Sequence, residues 1–282
     1  MRYDANDLAG LLELARRVAD LGGAAAMRHF RRGESWLKAD GTVATPGDAE
    51  AEQIIRSEIA RAHPDSDILG EEFGGADRGI AGAQWVIDPI DGTAWYALGL
   101  PLFGTLVALL VDREPVLGVI RCPALGETTF AARGSGCWTQ RDGESPREAH
   151  AAGRACVRDA TISIAGLSAT DIGSRTSGAV RIGGLVRSAR RVVTAGDCVQ
   201  HALVAAGRLD AAIDAEMQPW DIAALVPCIL EAGGAVGTVL GDADGVVFSG
   251  SLISASGSAL LHEIVAHVRP VPTAALQDAS VR

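Results

Sequence analysis

No apolar run in this 282-residue chain is long enough to cross a bilayer as a helix. The longest, Leu100 to Val111, falls short of the ~20 residues a span requires and is interrupted by Gly104. The first ten residues, MRYDANDLAG, carry two acids and lack the apolar core of a signal peptide, so the chain is expected to be soluble and cytoplasmic, with no membrane partner. Excess positive charge is missing too. Twenty-five Lys and Arg stand against 35 Asp and Glu, a formal net charge of −10. A chain that acidic has no sequence-independent attraction for phosphate backbones, which excludes nucleic acid as the expected partner. The five cysteines (Cys122, Cys137, Cys156, Cys198, Cys228) are odd in number, widely spaced and form no CxxC pair. That excludes a disulfide framework or zinc knuckle and predicts buried thiols in a reducing compartment. There is no internal repeat, no low-complexity segment, and no Walker loop or GxGxxG between a strand and a helix. His262 and His267 come near a zinc-protease motif, but an i, i+5 pair lies about 140° apart around a helix and cannot face one metal.

What is present is ordinary globular usage, 48% apolar and 21% charged, which argues against disorder. Leu8, Leu11, Leu12, Ala15, Val18 and Ala25 form the stripe of an amphipathic helix over 5–30. A second helix is predicted over 48–62, with Ile54, Ile55 and Ile59 inward and His63-Pro64 ending it. Short apolar runs at 67–69, 84–87, 105–111, 116–121 and 128–132, bounded by Gly, Pro and Asp, read as strands of one sheet. After a Gly- and charge-rich stretch over 134–153, strands (160–164, 209–213, 236–240, 252–254) alternate with helices (197–206, 221–232, 258–267). The expected organisation is two packed halves, 1–153 and 154–268, followed by a fraying tail, 269–282.

Three acidic clusters stand out: Gly70-Glu71-Glu72-Phe73-Gly74 after a strand, Trp85 to Thr93 (WVIDPIDGT), and Trp220-Asp221 at the head of an apolar helix. Each has a plain structural use: glutamates in a solvated loop, Asp91-Gly92 as a turn, Asp221 as a helix cap. Together they suggest chemistry. Asp88 ends an apolar strand, Pro89 stiffens the turn after it, and Asp91 can point back toward Asp88. Two carboxylates held close repel unless a proton or cation lies between them. Hard divalent cations such as Mg2+ prefer such oxygens, and the Ile90 carbonyl is free to add another. Gly92 and Thr93 begin a turn whose amides can cradle an anion. A metal pair beside an anion nest is the apparatus of phosphoryl hydrolysis.

The strings GEEFG, WVIDPIDGT and WDIAALVPCILEAGG, in that order, resemble the acidic loop and the two signature motifs of the inositol monophosphatase superfamily. The resemblance runs from the first helix to about His267. It implies a five-layered α-β-α-β-α sandwich and a magnesium-dependent, lithium-sensitive phosphomonoesterase holding two or three Mg2+ per site. It further implies a homodimer. Carried over by residue, Glu71 is a metal ligand and a helper of the attacking water, and Asp88 a bridging ligand. Ile90 lends its carbonyl, and Asp91 and Asp221 hold the second metal. Gly92 and Thr93 hold phosphate, with the Thr93 hydroxyl orienting the nucleophile. Lys38, Thr45, Asp48 and Glu52 match a K…T..D…E pattern near the metals. Asp48 either aids metal binding through water or caps its helix.

Motifs alone do not choose the phosphate ester. GVIRCPALG, FAARGSG, the Gly196-Asp197 pair and WDIAALVP resemble the histidinol-phosphate phosphatase branch. Asp197 and Asp214, with Glu216 nearby, are expected to form an acidic subsite for the ammonium of an amino alcohol, unless Asp197 merely caps its helix. Asp91 and Asp221 complete the expected substrate contacts. Inositol, aminocyclitol, sugar or nucleotide-type 3′-phosphates are the alternative substrates, and an inactive regulatory relative is the alternative to an enzyme. Two positions depart from the family pattern. Ala94-Trp95 replaces a Lys-Asn pair, and Pro46-Gly47 precede Asp48 where an extra acid is common.

Overall fold

A capping box opens the first helix, α1 (Ala5–His29): Asp4 accepts from the Asn6 and Asp7 amides, and Asp7 accepts from the Asp4 amide. The computed structural model describes residues 3–32, 35–38, 41, 43–75, 82–172 and 179–269. A two-stranded ribbon follows, β1 (Trp36–Leu37) with β2 (Val43–Ala44), leading into α2 (Pro46–Ala62). Next come β3 (Asp67–Gly70), β4 (Ala83–Asp91) and a one-turn helix, α3 (Thr93–Ala97). Then β5 (Gly104–Val111), β6 (Glu114–Cys122), β7 (Glu127–Ala132), β8 (Cys137–Arg141) and β9 (Arg147–Ala149) complete a seven-stranded sheet. Its strands lie in chain order, antiparallel except for the β3–β4 pair.

The second sheet uses β10 (Thr161–Ala165), β11 (Arg191–Val193), β12 (Ala211–Asp214), β13 (Ala235–Gly237) and β14 (Leu252–Ala255), in the order β11-β10-β12-β14-β13. Between these strands run α4 (Gly183–Ser188), α5 (Asp197–Ala205), α6 (Pro219–Ala223) and α7 (Leu225–Glu231), and α8 (Ser258–Val268) closes the described fold.

Alternation along the strands sorts side chains into layers. Trp85, Ile87, Val107 and Leu117 meet Leu14 and Val18 of α1 and Ile55 and Ile59 of α2. On the opposite face Val86, Leu106, Ala108 and Ile120 join α5, α6 and α7 and, beyond them, Ala212, Val236 and Leu252 of the second sheet in one continuous core. Ile162, Ile213 and Ile253 face outward onto Leu185 of α4 and Leu260 and Ile264 of α8. The layers are α-β-α-β-α, as the resemblance implies. The central strands of both sheets are covered on both faces, which is why they read as continuous apolar runs.

Some local expectations fail. The Gly- and charge-rich stretch over 134–153, where no strand is predicted, holds β8 and β9; β9 is an edge strand, so its charged residues face water. The helix expected over 221–232 is two helices. Pro227 has no N–H to offer the Ala223 carbonyl, and α6 ends there. Four of the five thiols are buried, but Cys156 is half-exposed. Residues 270–282 of the expected tail lie outside the described residues.

Candidate active site

β4 does not stop before Asp88, as its apolar run suggests, but continues to Asp91. Asp88 pairs opposite Leu106 and Asp91 opposite Gly104, so three steps on β4 answer two on β5. That is a bulge at Pro89-Ile90. In a regular strand, residues three apart point to opposite faces; the bulge turns both carboxylates to one side. Pro89 suits the position because it has no ladder donor to lose, and the Thr105 hydroxyl donates to its carbonyl at 2.8 Å. Carboxylate oxygens of Asp88, Asp91 and Asp221 then lie within 4.8 Å of one another.

Three helix starts hold the acids in place. Asp48 and Asp221, the expected candidates for N-caps, are not the caps. Thr45 and Gln218 take that place, and each acid sits at the third helical position. Asp48 Oδ2 accepts from the Thr45 amide at 2.8 Å and from its hydroxyl at 2.6 Å. Asp221 Oδ2 accepts from the Gln218 amide at 2.7 Å. Asp91 Oδ2 accepts from the Cys198 amide at 2.5 Å, in the first turn of α5. Each acid thus uses one oxygen on an orphan amide, where the helix dipole also favours negative charge. Asp197 makes no cap bond; Gly196 is the N-cap of α5.

A cavity of about 330 Å³ is walled by Glu71, Asp88, Asp91, Thr93, Asp197 and Asp221, with Ile90 and Gly92 between them. Gly92 has φ 87°, and a Cβ there would lie 2.7 Å from the Leu102 carbonyl and 2.9 Å from Asp197 Oδ2, so only glycine fits. The Ile90 carbonyl, expected to be free, accepts from the Thr93 hydroxyl at 2.8 Å and keeps one lone pair. Asp214, at the end of β12, is buried but outside the cavity wall, and its Oδ1 accepts from the Glu216 amide at 3.2 Å. Glu216 itself accepts from the Ser168 hydroxyl. The structure therefore brings Asp197, but not Asp214, to the cavity surface.

The sequence profile of the inositol monophosphatase family matches residues 7–273. The chain belongs to that family. It is 36% identical over 230 residues to a histidinol-phosphatase of Mycobacterium tuberculosis, covering 81% of this chain and 85% of the relative. To a histidinol-phosphatase of Chlorobaculum parvum it is 38% identical over 226 residues, 79% and 83% of the two chains. Among solved structures, the Thermotoga maritima inositol monophosphatase superposes with a TM-score of 0.76 at 31% identity over 93% of this chain and 96% of that one. The protein is a phosphoric monoester hydrolase acting on small-molecule phosphate esters, and the family is metal-dependent.

The electrostatics of this family member fit a cation. Burial, reinforced by Glu71, Asp91 and Asp221, pushes the Asp88 carboxyl well above the usual carboxylate range. Burial and the neighbouring Asp197 and Asp221 do the same to Asp91. Asp221 is pushed up to about 7, chiefly by burial. Burial also raises Asp48, to about 6, against its bonds to Thr45. Buried Asp88 Oδ1 and Asp48 Oδ1 have no hydrogen-bond partner. Hard oxygens crowded together, with unpartnered atoms among them, are the donor set divalent cations take. A second group, Asp48, Glu71 and Glu72, also lies within 4.8 Å. Lys38 donates to Glu71 at 2.9 Å and also to Glu72. Burial alone would lower the Lys38 pKa, but the two carboxylates outweigh it and hold the ammonium above its ordinary value.

Glu52, expected near the metals, pairs with Arg56 one helical turn on. Glu52 is fully buried; it accepts from the Glu72 amide at 2.7 Å, the Phe73 amide at 3.3 Å and Arg56 Nε at 2.6 Å. Arg56 in turn donates to the Gly74 carbonyl. The pair pins the loop that presents Glu71. Glu52→Gln is expected to raise the divalent-metal concentration for half-maximal activity by about 10–100-fold while changing kcat at saturating metal far less. A Mg2+ titration of phosphate release checks it, and an unchanged requirement would remove the positioning role. His201 is fully buried against Ser254 Oγ at 2.8 Å, and burial pushes its pKa down to about 3, so it stays neutral and outside the cavity.

Proposed function

We propose that the protein hydrolyses L-histidinol phosphate to L-histidinol and phosphate, with Mg2+ as the metal. The observation that carries the substrate is Asp197. Its carboxylate stands in the cavity wall above Gly92, outside both groups of acids that lie close enough to share a metal. A neutral polyol gives that charge nothing to pair with, whereas an ammonium two carbons from the phosphate ester does. Asp214 adds to the negative field from beneath the surface. The likeness to two relatives named histidinol-phosphatase supports the same choice.

In this reading Asp88, Asp91, Asp221, the Ile90 carbonyl and Glu71 hold the cations. Divalent cations bound there lower the pKa of water and neutralise charge on the phosphoryl oxygens. The amides of Gly92 and Thr93 hold the phosphate. The Thr93 hydroxyl donates a hydrogen bond to the Ile90 carbonyl, so its oxygen is left as an acceptor and can take a hydrogen bond from the attacking water. Glu71, steadied by Lys38, accepts from the same water. Asp48 has one oxygen fixed by Thr45 and supports the second group of acids through the other.

A second reading, an inositol or sugar monophosphatase, is favoured by the likeness to the Thermotoga maritima inositol monophosphatase. Phosphate release with Mg2+ from L-histidinol phosphate, myo-inositol 1-phosphate and a few sugar and nucleotide esters separates the two. The expected result is a kcat/KM at least about tenfold higher for histidinol phosphate, and Asp197→Asn should weaken that ester far more than a neutral one. Preference for a neutral ester would keep the metal chemistry and discard the substrate.

A further inference from the structure

We propose that Thr105 is a positioning residue for the metal site: its hydroxyl sets the plane of the Pro89–Ile90 peptide, and with it the span between Asp88 and Asp91. This rests on the reading above in which Asp88, the Ile90 carbonyl and Asp91 hold divalent cations. Thr105 lies on β5, fully buried and outside the cavity wall.

Across the β4–β5 pair Asp88 stands opposite Leu106 and Asp91 opposite Gly104, so Pro89, Ile90 and Thr105 have no partner in the register. The sheet pairs the two acid-bearing residues but not the chain between them. The Pro89 ring holds its φ at about −65°. What remains free is ψ, the torsion that aims the Pro89 carbonyl and orients the planar peptide leading to Ile90. The Thr105 hydroxyl donates to that carbonyl at 2.8 Å. One peptide further on, the Thr93 hydroxyl donates to the Ile90 carbonyl, also at 2.8 Å, and the Ile90 side chain is buried with Ala26, Tyr96 and Phe103. Two hydroxyls thus hold the two carbonyls of the bulge, Thr93 from the cavity and Thr105 from the side of α1.

The fit of Thr105 uses both branches of its Cβ. A Cβ at Gly22 of α1 would lie 3.1 Å from Thr105 Cγ2 and 2.5 Å from Ile55 Cδ1, so helix and strand come this close only because residue 22 is glycine. With the methyl seated against α1, a β-branched side chain has little χ1 freedom left, and the hydroxyl stays on Pro89. Valine has the same shape and no proton to donate. In Thr105→Val the Pro89 carbonyl loses its donor in a dry place, where an unmade hydrogen bond is costly, and the peptide turns toward another partner. A turned peptide alters the span between Asp88 and Asp91 and the aim of the Ile90 carbonyl between them.

The test titrates Mg2+ into the metal-free full chain by isothermal calorimetry, for wild type, Thr105→Val, Thr105→Ser and Thr105→Ala, with circular dichroism to show that each is folded. Thr and Val share a shape and Ser and Ala nearly do, so each pair differs by the hydroxyl. The expected result is a loss of about tenfold in Mg2+ affinity for Thr105→Val and Thr105→Ala, with Thr105→Ser much closer to wild type. Affinity that follows the methyl instead, with Val like wild type and Ser like Ala, overturns the proposal. Equal losses in all three variants overturn it too. If Thr105→Val does not fold, Ser against Ala makes the same comparison. A wild type that takes up no Mg2+ overturns the metal reading and this proposal with it. A wild type that binds, beside variants that bind as tightly, overturns this proposal alone.

Discussion

Asp88→Asn is expected to abolish turnover and, in the presence of chelator, to raise the melting temperature. The side chain is 2% exposed, with Oδ1 unpartnered, among Glu71, Asp91 and Asp221. An amide of the same shape removes like-charge repulsion in the metal-free state, and it removes a carboxylate from the group of three whose oxygens lie close enough to hold a metal. The loss in kcat/KM should exceed the ~100-fold at the upper end for residues that merely support a ligand. The gain in Tm should be a few degrees, about 2–4 °C for each kcal/mol of repulsion relieved. Phosphate-release assays and thermal melts in EDTA read the two effects. Retained activity would sink the metal role, and a lower chelated Tm would mean the carboxylate stabilises the empty site.

The second large effect is the dependence of stability on pH and metal. Burial raises Asp48 and Asp197 to about 6 and Asp214 and Asp221 to about 7. Asp88 and Asp91 are raised in the same direction. A carboxyl whose folded pKa lies above its unfolded value of about 3.9 binds its proton more tightly in the fold. Its stabilising contribution is complete below pH ~4 and is lost as pH rises through its folded pKa. Chelated protein should therefore lose on the order of 5–10 °C of Tm between pH 5 and pH 8. Divalent cations compete with those protons and bind best where the acids are ionised. The Tm difference between Mg2+-saturated and chelated samples should widen steadily over the same interval. A constant difference would mean that these acids do not titrate with the metal.

Composition and periodicity were enough to place the two long N-terminal helices and the central strands, because elements covered on both faces must be apolar along their length. They failed where a strand is wet or a helix is interrupted. β9 looks like a charged loop because it sits at a sheet edge, and the α6–α7 break rests on one missing amide at Pro227. The acids could be picked from their spacing, but not the device that gathers them. A bulge at Pro89-Ile90 depends on register with β5, which no local pattern encodes. Nor could the sequence tell Asp197 from Asp214. Both are acids at the ends of elements, and only the packing around Gly166 and Glu216 keeps the second off the cavity wall. His201 shows the same limit. A polar residue in a helix reads as exposed unless its partner, Ser254, is known to wait on a strand more than fifty positions away.

The core that runs through α5, α6 and α7 joins the inner faces of both sheets without a break. Asp88 and Asp91 come from the first sheet, and Asp197 and Asp221 from the helices packed against it. Swinging the sheets apart would expose Leu106, Ile120, Ala212 and Leu252 to water at roughly 25 cal/mol per Å² of apolar surface, far more than a small ester can repay on binding. The catalytic cleft is thus pre-shaped. Substrate meets acids on β4, α5 and α6 that one shared core already holds in place, so binding need not draw these elements together.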